Sequence, residues 1–118
     1  MADNGCTQPN SYLNLFFQMF WTKIYVQWSK VNAEKDQKNY LALLGQFYLN
    51  YQGQFVSDYS VTSPEEDIAE TWARFALGPK PTGRNIANQK VLFFYDFPEL
   101  VDLRMRIANG ICNYVETK

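Results

Sequence analysis

Apolar positions in the first third of the chain recur at helical spacing. Leu13, Phe16, Phe17, Phe20, Trp21, Ile24, Trp28 and Val31 fall three or four residues apart, on one stripe. The spacing predicts a helix over Tyr12–Lys30, with Asn10 or Ser11 as its N-cap. A polar turn from Val31 to Asp36 leads to a second helical pattern running to about Gln52, carried by Tyr40, Leu41, Leu44, Phe47, Tyr48 and Tyr51. So short a connection favours an antiparallel pair. Gly53 breaks the pattern, and 54–62 reads as an extended connection carrying Tyr59.

The third helical segment is the best defined. Ser63 is a capping residue, Pro64 suits the first helical position, and Glu66 sits where a capping box needs it. Glu65, Glu66 and Asp67 complement the positive end of the helix dipole, and Gly78-Pro79 ends the helix. Ile68, Trp72, Phe75 and Ala76 form its expected core face. After the turn GPKPT, residues 85–97 contain KVLFFYDF, whose propensity suits a strand but whose neighbourhood, without a partner strand, favours a short helix. Pro98 opens a last helix, expected to end near Asn109-Gly110 with a frayed tail beyond. The expected fold class is all-α, a small bundle of four to five helices, with residues 1–10 a disordered lead and 11–118 a single helical domain.

With 118 residues, 47% of them hydrophobic and 17% aromatic, the chain can build a real core. A net charge of −1 leaves no basic footprint for nucleic acid. No apolar run reaches membrane-span length, and 2–10 is too polar for a signal peptide. Cys6 and Cys112 form no CxxC, and either bridge the ends of the domain or remain free thiols. The aromatic stripe is first of all core. Left exposed, it would pair chains, so a homo-oligomer through Phe16, Phe20, Trp21 and Trp28 is expected.

The candidate chemistry lies around the third helix. Glu66 and Glu70, four residues apart, share a face bordered by Ala69, Ala73 and Leu77. Small and apolar neighbours suggest a metal, a buried cation or a hydrogen-bonding partner. The alternative for Glu70 is an ion pair with Arg74, worth a few tenths of a kcal/mol.

Tyr59, Glu66 seven residues on, and Ala69-Glu70 resemble the second half of the zinc site in anthrax lethal-factor-like metalloproteases. FVSDY before the helix and PKPTG after it resemble a group of uncharacterised, secreted bacterial proteins related to those peptidases. The resemblance runs from about Ser11 to Ile107 and is specific from Tyr59 to Trp72. It implies a zinc metallopeptidase with a peptide substrate in a complete parent, located outside the cell or in its envelope. It also implies that Glu66 is the glutamate zinc ligand, Tyr59 the catalytic tyrosine over the metal, and Glu70 a supporting carboxylate beside it.

The family's other ligands are two histidines of an HExxH helix, and this chain has no histidine. The expectation is a chain that binds zinc weakly and is not an enzyme by itself. It is read either as the C-terminal part of such a protein or as a degenerate paralogue. Histidine-dependent nucleophilic catalysis is excluded for the same reason. Glu66 and Glu70 lack the context of a glycosidase pair, and two carboxylates are too few for a hard cation. The alternative function is a non-catalytic helical module for protein interaction or oligomerisation.

Overall fold

The computed structural model describes residues 11–116, with side chains through residue 110. The described residues form six α-helices and no strand: α1 (Tyr12–Phe20), α2 (Tyr25–Asn32), α3 (Gln37–Asn50), α4 (Pro64–Leu77), α5 (Ile86–Phe93) and α6 (Pro98–Glu116). Two short 3-10 turns, Asp58–Thr62 and Phe94–Asp96, are also found among the described residues. The all-α class is as expected. The Cys6 and Cys112 side chains and the 1–10 lead lie outside the described residues.

Four helices start where a polar cap accepts the hydrogen bond that the first turn leaves open. Ser11, Asp36, Ser63 and Asn85 accept from the backbone N–H of Asn14, Asn39, Glu66 and Asn88, at 3.2, 3.0, 3.0 and 2.8 Å. α4 has the predicted bounds. Gly53 turns the chain after α3 with φ 95°, a conformation that favours glycine. Gly78 ends α4, where an added Cβ would come within 2.8 Å of the Arg74 carbonyl oxygen.

The expected helix over Tyr12–Lys30 is two helices, broken at Trp21–Ile24. The Thr22 hydroxyl donates back to the Gln18 carbonyl at 2.8 Å, and Ile24 N–H closes a tight turn onto Trp21 O at 3.1 Å. Long-range bonds reward the break. The Trp21 indole N–H donates to Asp67 at 2.8 Å, and that of Trp28 to the Val61 carbonyl at 2.8 Å. The two indoles meet edge to face, 5.7 Å apart and at 90°. Seven residues along an unbroken helix would separate them by about 10 Å.

The aromatic face expected to join chains is largely consumed inside this one. Phe16, Trp21 and Trp28 are buried and Phe20 is packed against them. Phe16 meets Phe20, Phe93 and Phe94, and Phe94 continues the cluster to Trp72 and Phe75. KVLFFYDF forms no strand: it ends α5 at Phe93 and passes into the 3-10 turn Phe94–Asp96, with Phe93 and Phe94 both buried in this cluster. α6 does not stop at Asn109-Gly110 but runs on to Glu116. It is fixed to the bundle by Arg104, whose guanidinium donates to the carbonyls of Phe75 and Gly78, both at 2.8 Å. At its start, Glu99 accepts from the Tyr12 hydroxyl at 2.5 Å, which holds the Glu99 carboxyl below its ordinary value.

Candidate functional site

The candidate residues sit on α4 and on the 3-10 turn before it, which pack closely against each other. The segment read as an extended connection is this turn, Asp58–Thr62, with Ser60 and Val61 buried beneath it. Its shape follows from hydroxyls that replace ladder bonds. Thr62 Oγ1 donates to the Tyr59 carbonyl at 2.7 Å, and the Ser57 and Ser60 hydroxyls share a bond of 3.2 Å. Tyr59 is left on the outside, 56% exposed.

Glu70 explains how the turn is tied to the helix. Its carboxylate accepts from Ser57 Oγ at 2.9 Å, and does not pair with Arg74. Arg74 reaches the other way and donates to the Val56 carbonyl at 3.2 Å. The i,i+4 alternative thus loses to two bonds that hold residues 56–57 against α4. Glu70, Val56, Ala73 and Arg74 border a shallow hollow of about 330 Å³.

Glu66 is half-buried at the N-terminal turn of α4. Its backbone N–H is satisfied by Ser63, the forward half of the capping box. No side-chain donor reaches its carboxylate among the described residues, nor does a hydrogen bond join Tyr59 to either glutamate. Glu66 is therefore a carboxylate with open coordination on a firmly held helix end.

What holds that end was not singled out from the sequence. Asp67, read only as part of an acidic first turn, is fully buried. Oδ2 accepts from Lys90 Nζ at 2.7 Å and from the Trp21 indole, while Thr71 Oγ1 donates to Oδ1 at 3.4 Å. Lys90 is equally buried, with Nζ 4.1 Å from the centroid of the Phe55 ring. Burial pushes the Asp67 carboxyl up and the Lys90 ammonium down from their ordinary values, and their mutual attraction offsets this only in part. α4 thus buries Pro64, Asp67 and Thr71 together with the expected Phe75 and Ala76, while the expected Ile68 and Trp72 pack at the margin. One residue of rotation, about 100° on a helix, separates this pinned acid from the open one at Glu66.

A catalytic zinc takes three protein ligands and a water. No group of three His, Cys, Asp or Glu side chains gathers among the described residues, and the whole chain lacks histidine. The residues present supply at most a fraction of such a site. No helix among the described residues is long and apolar enough to cross a membrane. No family model, curated protein or solved structure matches the chain.

Proposed function

We propose that this chain is a metallopeptidase-like helical lobe, catalytically incomplete by itself. In this reading it offers Glu66 as a ligand carboxylate, with Tyr59 on the adjoining turn, to a zinc site whose imidazoles come from outside the chain. Glu70 acts through Ser57, holding the Tyr59 turn to α4. A peptide substrate belongs only to the completed site. The observation that carries the reading is the contrast on one helix turn: Asp67 is buried and saturated with donors, whereas Glu66 is half-buried and takes no side-chain donor among the described residues. A helix end anchored this firmly around an open carboxylate supports ligand presentation better than it supports a solvated charge run.

Titration of the isolated chain with zinc tests it. We expect binding with Kd on the order of 0.1–1 mM, weakened at least about threefold by Glu66→Gln, and no peptidase activity, because three ligands are needed for a tight catalytic site. Stoichiometric tight binding, or weak binding indifferent to Glu66→Gln, would overturn the proposal.

A second reading, an interaction or oligomerisation module, is favoured by the expected apolar side of α3, part of which the fold leaves exposed. On α3, Leu41 and Leu49 are 56% and 58% exposed. With Leu44, Tyr48, Asp58 and Val61 they line a groove of about 590 Å³ between α3 and the Tyr59 turn. An apolar groove on a bundle this small suits a second copy of the chain. Sedimentation should then show a dimer that Leu41→Glu with Leu49→Glu converts to monomer. A wild-type monomer at about 100 µM, well above the Kd range of stable dimers, removes this reading.

A further inference from the structure

The break between α1 and α2 does more than seat two tryptophans. Phe17 and Tyr25 are eight residues apart, which an unbroken helix would spread over about 12 Å. Their ring centroids lie 5.1 Å apart, at 67°. Tyr25 in turn lies 5.5 Å from Trp28, at 30°. These three aromatic side chains, with Leu13 and Pro64 as apolar floor and Asn14 and Asn32 as polar rim, line a hollow of about 450 Å³. Glu65 stands in its lining with its side chain exposed, and among the described residues no lysine or arginine contributes to that lining.

We propose that this hollow is a binding site for an alkylammonium group: a primary or methylated ammonium carried on an aliphatic stem. Three observations converge on that chemistry. Aromatic faces attract cations through their quadrupole, and rings steeply inclined to one another can meet a single cation from different sides. The apolar floor suits the stem. Glu65 supplies the counter-charge, and the nearby positive end of α4 is offset by Glu65 and Glu66 in its first turn. The volume lies within the range of small-ligand pockets and admits a butylammonium-sized guest. Trp28 cannot swing away to fill the space, because its indole N–H is held by the Val61 carbonyl. The site is separate from Tyr59 and Glu70 and does not rest on the metallopeptidase reading.

The same chemistry has two sources, a free alkylamine and a lysine side chain in a peptide. The test uses n-butylammonium, Nα-acetyl-lysine-methylamide and the neutral isostere n-butanol, followed by the Trp28 indole N–H resonance of the intact chain. Both cations should shift that resonance saturably, with n-butanol at least about fivefold weaker, in keeping with exposed cation–π sites. Tyr25→Leu keeps the apolar area but removes the ring, and should weaken the cations about three- to fivefold without changing n-butanol. Glu65→Gln, an isosteric surface change, should weaken them about threefold in low salt and less in high salt. A blocked lysine that binds more tightly than butylammonium assigns the site to peptides, and equal binding assigns it to free amines. Either ranking supports the site. The proposal is overturned if n-butanol binds as well as the cations, if Tyr25→Leu in a folded chain leaves their binding unchanged, or if no cation shifts the resonance at about 50 mM, a concentration that about half-fills a site holding two such contacts.

Discussion

Lys90→Ala should lower the unfolding free energy by about 3–5 kcal/mol, the usual cost of stripping one partner from a buried ion pair. Natural domains hold about 5–15 kcal/mol in total, so the loss is a large fraction of the whole. At about 4 °C per kcal/mol for a domain of this size, the melting temperature should fall by about 12–20 °C. The cost arises because the Asp67 carboxylate stays at zero exposure with only Trp21 and Thr71 as donors. Lys90→Met with Asp67→Asn should recover much of it. Methionine refills the space of the aliphatic stem, and asparagine keeps an oxygen for the Trp21 indole while no charge remains to be buried. Urea midpoints at constant m-value provide the measure. A single-mutant loss under about 1 kcal/mol would mean that the Lys90 ammonium reaches water on a fluctuation the static fold does not show.

The same pair shows which parts of this protein were legible from its letters. Local signals read well. Ser11, one of two expected caps of the first helix, and Ser63 both cap as expected, because a capping oxygen needs only an N–H three residues on; Asp36 and Asn85, not expected as caps, follow the same rule. The bounds of α4 follow from the same logic. What could not be read is decided over long separations. The stripe from Leu13 to Val31 fits an unbroken helix at every position. The chain breaks there because acceptors 46 and 33 residues away, Asp67 and the Val61 carbonyl, reward two indoles for turning inward. Asp67 looked like a dipole-complementing acid because its partner, Lys90, lies 23 residues on. Glu70 was weighed against Arg74 because both lie on one helix, yet the carboxylate prefers a serine from the preceding turn. The spacing of Tyr59, Glu66 and Glu70 was visible at once, but that Ser57 ties this turn to α4 was not. The Asn109-Gly110 stop signal failed for a simpler reason. A glycine in a helix costs only about 1 kcal/mol, too little to end α6 alone.

Trp21→Ala is the second change with a large expected effect, and it probes whether the break in the first helix is made by its long-range partners. Trp21 is fully buried, so truncation should cost about 3–5 kcal/mol through lost transfer energy and a residual cavity. It also removes one of the donors that make the buried Asp67 charge tolerable, which adds about 1–2 kcal/mol. Trp21→Phe separates the two contributions. It retains most of the apolar area and the edge-to-face contact with Trp28, and should cost only about 1–2 kcal/mol for the lost N–H. If the indole bond is what holds the turn at 21–24, nuclear Overhauser contacts between the Phe17 and Tyr25 rings should weaken in the Trp21→Ala chain. The longer-range bond from Trp28 to Val61 should loosen with them, because both depend on how α2 is set against α1. Contacts that persist at full strength would instead assign the break to the Thr22 hydroxyl and its bond to the Gln18 carbonyl. Thr22→Val, which keeps the shape of the side chain and deletes that bond, would then be the variant that straightens the helix.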